Sequence, residues 1–513
     1  MFEVESRLKL LPTAQLLLAG GDARLRVDGA KGVNRYGCSP LPTPHVAAFG
    51  SSTATSISKA GFAAADRLRS RLLAAFDDEA HELIYARELN RIRKELLQLS
   101  GLADLRGLET VMAASGTDLH LIAAQIAAGS AVAPTRVIMM EATETGRGVA
   151  AALKGRHFSS RSALGRVAHE GTPVSDECGI ELASVAIRMS DGRARPIAEV
   201  DEEVNSLVTA AVAKGQRVLL IAIDVSKTGL IAPSSSCVLA LRQRHRETVE
   251  VLVDACQFRI APATLRAYLE HDCMVALTGS KFVTGPAFSG ALLIPAAAAS
   301  RLRHRVMPRA MSAYSTRAEW PRNWEASAWL DDIENFGLLL RWEAALAELK
   351  AFRLVPENVV SQVARAFADA VIKRLNEDPA FEALPTTSIN RRHLIDTDSW
   401  DRIPTIFPFL LLRRDHGQAR RLLTREQTQA VYQTQQSGLF GNSSPSLAGM
   451  HCQLGQPVAC GDRDGVAIAA LRLCLSSRMI SEAAATMDGV HDLIRQAMTA
   501  LDRTAALADT IAH

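Results

Sequence analysis

The amino-acid sequence predicts an α/β protein: a large domain on a mainly parallel, seven-stranded-type sheet sandwiched by helices, plus a smaller C-terminal α/β lobe. Three observations carry this expectation. Short apolar runs recur between about residues 110 and 295; helix-period stretches separate several of them; and after about residue 320 a long helical stretch leads into a second set of strands. Short continuous apolar runs are the pattern of strands buried on both faces, which belong to parallel sheets covered by helices.

Residues 1–60 are expected to form an irregular N-terminal segment, because "DGAKGVNRYGCSPLPTPHVAAFGSSTATSIS" (28–58) is full of turn formers and has little helical periodicity. Helices are predicted over 57–76 and 80–101, where apolar residues return at three- and four-residue steps, the second stopping at Gly101. A large domain over 61–320 carries candidate strands at 110–115, 135–141, 181–187, 217–224, 249–254, 273–279 and 289–295, with a helix at 199–215 among those that fit between them. A small domain over 321–513 opens with a helix at 333–352, has strands near 405–413 and 465–476, and closes on a helix around 482–508. Neither an internal repeat nor a low-complexity linker interrupts the chain.

Composition narrows the function classes. With 513 residues, of which 48% are hydrophobic and 22% charged, the chain can bury a large core. A formal net charge of +3 gives no support for nucleic acid as the main partner, and the basic clusters at 242–247, 301–309 and 413–421 read as solvated faces and loops. The eight cysteines show no CxxC spacing and no small disulfide scaffold, which fits a reducing compartment, and no metal site is expected. An N-terminus without the apolar core of a signal peptide, and no window approaching eighteen uninterrupted apolar residues, lead to the expectation of a cytoplasmic protein away from membranes.

The chemistry is concentrated in "TGSKFVTGP" (278–286). Only ten lysines stand against forty-eight arginines, so a lysine among small residues after an apolar strand asks for a chemical reason. Asp254 ends the strand "VEVLVD", Gln257 follows three residues later, and Lys281 ends the next apolar run, so all three fall at one edge of a parallel sheet. Burial prepares a lysine amine to form an imine, and a carboxylate at a neighbouring strand end can hold a pyridine nitrogen protonated. Together they point to pyridoxal phosphate. For its phosphate, Ser115, Gly116 and Thr117 open a helix after a strand, and Thr278 and Ser280 add hydroxyls beside the lysine.

"DACQ" (254–257) and "TGSKFVTGP" resemble the fold-type I pyridoxal-phosphate enzymes, specifically the class V aminotransferase and cysteine desulfurase superfamily, whose Asp-x-x-Gln precedes a Ser-x-His-Lys-x-x-x-Gly-Pro element. The motifs cover roughly residues 105–300, the C-terminal lobe matching by architecture only. The resemblance implies that Lys281 forms the Schiff base, Asp254 pairs with the pyridine nitrogen, Gln257 contacts the ring oxygen, and Thr278 and Ser280 hold phosphate with Gly116 and Thr117. It further implies a homodimer with shared active sites and an amino-acid-like substrate.

Two departures stand out. Thr145 takes the place of the ring that usually stacks on the cofactor, and Ser280 stands where many relatives have histidine. "LIAIDVSKTGLIAP" (220–233) is similar to a strand ending in Asn-Glu-Thr-Gly, with Ser226 at the cofactor-contacting position and Lys227 a rival for the imine. Arg472 in "ALRLCLSS" is the candidate for the substrate carboxylate, against an arginine on an exposed strand face. Asn34, Tyr36 and Gly37 are candidates to line the pocket, against a simple surface loop. The expected activity is transamination. A desulfurase or Cβ-lyase using Cys452 or Cys460 from the Gly/Ser/Pro-rich stretch 442–461 is the alternative, and a non-catalytic binding subunit the third reading.

Overall fold

The two larger sheets share one continuous apolar core, and a second core packs against the large sheet. The structure is a computed structural model and describes residues 10–30, 32–34, 36–43, 46–50, 55–129, 134–175, 179–384, 389–415, 418–437 and 451–511. The N-terminal segment holds helix α1 (Thr13–Leu16), the short antiparallel pair β1 (Val27–Asp28) and β2 (Val33–Asn34), and strand β3 (Val46–Phe49). Helices α2 (Lys59–Ala75) and α3 (His81–Leu99) follow. The Ser58 hydroxyl caps α2 by accepting the Gly61 N–H at 2.8 Å, and after α3 the chain turns through Gly101 at φ +68°.

The large sheet is assembled from β4 (Glu109–Ala113), helix α4 (Gly116–Ala128), β5 (Thr135–Met140), α5 (Val149–Leu153), β6 (Ile180–Val185), α6 (Ile197–Ala213) and β7 (Arg217–Ile223). It continues through α7 (Ser235–Arg244), β8 (Val249–Asp254), α8 (Pro262–Glu270), β9 (Met274–Thr278), β10 (Gly290–Ile294) and α9 (Ala296–Leu302). Its seven strands lie in the order β4-β10-β9-β8-β7-β5-β6. Only β10 runs against the others, antiparallel to both β4 and β9. Each expected strand is present within two residues of its predicted bounds, and all but β6 are largely buried on both faces and so declare themselves as unbroken apolar runs. Helix α4 is buried at every position but Gly116, as its apolar sequence requires.

The C-terminal part contains α10 (Phe336–Arg353), α11 (Glu357–Glu377), β11 (Phe381–Ala383), β12 (Ile406–Asp415), β13 (Gln418–Leu422) and α12 (Arg425–Ser437). β14 (His451–Arg463), β15 (Val466–Cys474), α13 (Ser477–Ala484) and α14 (Gly489–Thr510) complete it. Its sheet has the order β11-β12-β15-β14-β3, with β13 also paired to β12. Two expectations are corrected here. The N-terminal segment is not irregular throughout: Val46–Phe49 runs parallel to β14, pairing with a strand some four hundred residues away that local periodicity cannot disclose. The single closing helix is two helices, and a side chain at Gly489 would strike the Ala483 carbonyl at 2.3 Å where the chain folds back.

Between the two sheets, Phe282 stacks on Trp400 with ring centroids 5.3 Å apart and meets Phe352 edge-on at 5.3 Å, while the Arg259 guanidinium lies over its other face at 5.0 Å. A second bridge is polar. Arg391 donates to both carboxylate oxygens of Asp224 at 2.8 and 2.6 Å and to the Asp401 carbonyl at 2.8 Å, all three residues being buried. Among the described residues no helix is long and apolar enough to cross a membrane, and no cluster of three or more potential ligands could hold a metal ion. Phe282→Ala is expected to cost about 3–5 kcal/mol, the range for a large aromatic removed from a core. Urea unfolding should show a lower midpoint at an unchanged slope; a loss below about 1 kcal/mol contradicts this account of the junction.

Candidate functional site

The carboxyl ends of β4, β5, β7, β8 and β9 face the same edge of the large sheet, where ligands of open α/β sheets bind. A cavity of about 420 Å³ opens there. Its wall includes Ser115, Gly116, Thr117, Asp254, Gln257, Thr278, Ser280, Lys281, Tyr36 and Arg472, so most of the sequence-predicted site residues share one space.

Lys281 leaves β9 in a tight turn. The Gly285 N–H donates to the Gly279 carbonyl at 2.8 Å, and a side chain at either glycine would come within 2.6 Å of Ala345 on α10. The helix therefore presses directly on this turn. The buried Phe282 anchors it from one side, leaving Lys281 half-buried at the cavity wall.

Asp254 closes β8 and meets a histidine that sequence reasoning missed. His120 on α4 places Nε2 3.3 Å from Asp254 Oδ2, and its Nδ1 lies 2.7 Å from the Gly116 carbonyl. Burial pulls the Asp254 carboxyl upward. The facing His120, the charge of Lys281 and a hydrogen bond from the Cys256 thiol outweigh it and hold the group well below the usual carboxylate range. The available signal was the position of His120 itself, four residues after Gly116 and hence one turn below the helix start on the same face.

The small-residue turn before α4 has fewer free protons than its hydroxyls suggest. Ser115 donates to Asp118 Oδ2, and Thr278 donates to the Cys256 carbonyl at 2.6 Å. A hydroxyl has one proton to give, so at this turn the Thr117 hydroxyl and the first N–H groups of α4 are what remains for an anion. Arg24, from the one-turn helix Ala23–Leu25, also lines the cavity and donates to Thr117 Oγ1 at 3.3 Å and Ser115 Oγ at 3.2 Å.

Four of the residues expected at the site, Thr145, Ser226, Asn34 and Gly37, lie outside the cavity wall. Thr145 is buried and donates to the Ala142 carbonyl at 3.4 Å, while Gly146–Val149 line the space instead. Ser226 donates to Glu144 Oε2 at 2.7 Å in a buried cluster with Arg188 and Thr228, which consumes its hydroxyl. Asn34 accepts the Tyr36 and Cys38 N–H groups at 2.9 and 3.1 Å and so shapes the loop that brings Tyr36 to the cavity. Gly37 turns this loop at φ +79°.

Arg472 is only 2% exposed, which removes the exposed-strand alternative. Its Nη1 and Nη2 donate to the Lys227 and Gln456 carbonyls at 3.2 and 2.8 Å, while Nε has no hydrogen-bond partner and no carboxylate pairs with it among the described residues. Lys227 also lines the cavity. Burial, then the charges of Arg472, Lys281 and Arg147, lower its amine to about 8 against the pull of Glu144. Cys452 and Cys460, the candidates for a sulfur nucleophile, are buried in β14, and burial pushes both thiols up to about 11. The remainder of the Gly/Ser/Pro-rich stretch, 442–450, lies outside the described residues.

The Lys227 amine gives a pH prediction. Its lowered value means that it is protonated below about pH 8 and neutral above. In protein carrying ¹³C-methylated lysines, the Lys227 resonance should titrate near 8, and Arg472→Gln should move the midpoint upward by removing a like charge. A midpoint at the ordinary lysine value contradicts the crowding of cations described here.

No protein-family model matches the chain, and no curated protein matches it. Solved structures do. A lysine-to-alanine mutant of C-DES with glycine covalently linked to its pyridoxal-phosphate cofactor is similar at TM-score 0.53 and 13% identity, over 89% of this chain and 97% of that one. TDC from Oryza sativa with pyridoxal phosphate and tryptamine gives TM-score 0.52 at 13% identity over 98% and 90%. The cysteine desulfurase CsdA from Escherichia coli gives 0.50 at 14% identity over 88% and 94%. With this sheet order, this cavity and these similarities, the chain has the fold of the type I pyridoxal-phosphate-dependent enzymes.

Proposed function

We propose that the chain is a pyridoxal-phosphate-dependent enzyme that acts at the α-carbon of an amino-acid-like substrate, with transamination as its reaction. The observation that carries this reading is the meeting of Lys281, the Asp254–His120 pair, Gln257 and the start of α4 on one cavity of about 420 Å³. These residues fit the cofactor on chemical grounds. A carboxylate kept ionised deep in a cavity suits a protonated ring nitrogen, and the N–H groups of a helix start suit a phosphate. When bound, pyridoxal phosphate supplies an electron sink for charge that develops at the substrate α-carbon.

The chain's own residues then divide the work. Lys281, half-buried at the cavity wall, would hold the cofactor covalently through Nζ and would be the group placed to move a proton at the substrate α-carbon. His120 fixes the orientation of Asp254, and Gln257 on the cavity wall would be the donor to the ring oxygen. Gly116, Thr117 and Ser280 would hydrogen-bond the phosphate; Ser115 and Thr278 shape the turn, their protons being committed elsewhere. Thr145 and Ser226 are left without a cofactor role because both hydroxyls are engaged away from the cavity. Arg472, buried without a carboxylate partner among the described residues, is suited to a substrate α-carboxylate.

A desulfurase needs a thiolate nucleophile. Thiols buried in a strand and pushed up to about 11 do not suit that task, which favours α-carbon chemistry over the sulfur-transfer reading.

With pyridoxal phosphate bound, a panel of amino acids paired with 2-oxo acids should reveal amino transfer. The double substitution Cys452→Ser and Cys460→Ser should keep that activity, whereas loss of activity with the cofactor spectrum intact favours the desulfurase. Arg472→Ala should weaken substrate binding by about 2–5 kcal/mol, the range for a buried charge pair that loses one member. Unchanged KM in that variant removes Arg472 from the site.

A further inference from the structure

The turn at the start of α4 offers few donors for a phosphate, since the Ser115 and Thr278 protons are already committed. A dianionic group held in a half-buried cavity calls for a formal positive charge as well as hydrogen bonds. Lys281, if it holds the cofactor at its other end, is not available for that purpose. The cation in contact with both Ser115 and Thr117 is Arg24.

Several contacts make Arg24 a built feature and not a stray surface side chain. Asp22 caps the short helix by accepting the Arg24 N–H at 2.9 Å, and its two oxygens accept from Arg24 Nε at 2.9 Å each and from Nη2 at 2.6 Å. The guanidinium lies over the Phe288 ring at 4.8 Å from its centroid and over Phe158 at 5.9 Å. Its side chain is 18% exposed. This clamp sets the plane of the guanidinium and turns its Nη edge toward Thr117 and Ser115, where the helix start also directs unpaired N–H groups.

We propose that Arg24 is the charged contact for the cofactor phosphate, with Asp22 as its positioning residue, so that the N-terminal segment is a working part of the cofactor site. This rests on the reading of the chain as a pyridoxal-phosphate enzyme. It assigns to residues 22–25 a role that neither the lysine motif nor the helix-start motif contains. It also gives this segment a reason to be held against the large sheet: the anion completes the contacts that the segment makes there.

The test compares two ligands that differ only in the phosphate, using the full chain freed of cofactor and isothermal titration calorimetry with pyridoxal phosphate and with pyridoxal. Arg24→Gln should weaken pyridoxal phosphate by about tenfold or more, as expected for loss of a charge-assisted contact, and leave pyridoxal within about twofold. Arg24→Lys should fall between, because an ammonium keeps the charge but loses the fork. Inorganic phosphate should compete with pyridoxal phosphate on the parent chain and much less on Arg24→Gln. Unchanged pyridoxal-phosphate affinity in Arg24→Gln overturns the proposal, and so does equal weakening of both ligands, which marks a purely structural role. A parent chain that binds neither ligand overturns the cofactor reading and this inference together, and is distinguished from the first two results by the parent's own titration.

Discussion

Helix α10 lies so close to the turn after β9 that no side chain fits at Gly279 or Gly285. The rest of the site depends on that contact. It forces the chain into a short loop whose one long polar side chain is Lys281, and the buried Phe282 then fixes which way the loop faces. With Phe282 inserted among Phe352, Trp400 and Arg259, the lysine is directed along the strand ends toward Asp254. The same packing joins the large sheet to the C-terminal part, so the geometry of the site and the cohesion of the molecule have a common origin.

Electrostatics builds on this frame by separating groups that are satisfied from groups that are not. Glu144 is buried but fully engaged by Arg188, Ser226 and Thr228, and Asp224 is engaged by Arg391 and Tyr268. These are structural pairs, whose disruption would leave a buried charge unpaired. At the cavity the balance differs. Asp254 is held ionised, while Arg472 and Lys227 stand close together and, among the described residues, neither forms an ion pair with a carboxylate. A site that keeps cations close together in low dielectric is prepared for anionic ligands, which matches a phosphorylated cofactor and a carboxylate substrate.

The strands of the large sheet were legible because β5, β7, β8 and β9 are buried on both faces and therefore nearly pure in apolar residues. Asp254 and Lys281 were legible for a related reason: polar residues at the ends of such runs stand out. β14 was not, because Gly455, Pro457 and Gly461 break its pattern where the pairing with β15 shifts register, and no strand was predicted there. His120 was hidden inside an apolar helix, and Arg24 in a segment without periodicity. Ser226 and Thr145 are the opposite case, lying off the cavity wall. Their residue types suited the task, but hydrogen bonds to Glu144 and the Ala142 carbonyl, invisible in the sequence, had already taken their protons.

Both Lys281 and Lys227 line the cavity and Lys227 has the lowered amine, yet Lys281 is the lysine we propose to carry the cofactor. Lys227 instead donates to the Thr143 carbonyl at 2.9 Å. Incubation with pyridoxal phosphate, reduction with borohydride and peptide mapping by mass spectrometry decide between them. The account predicts a pyridoxyl group on the peptide containing Lys281 and none on Lys227. A label on Lys227, or on neither lysine, would contradict it.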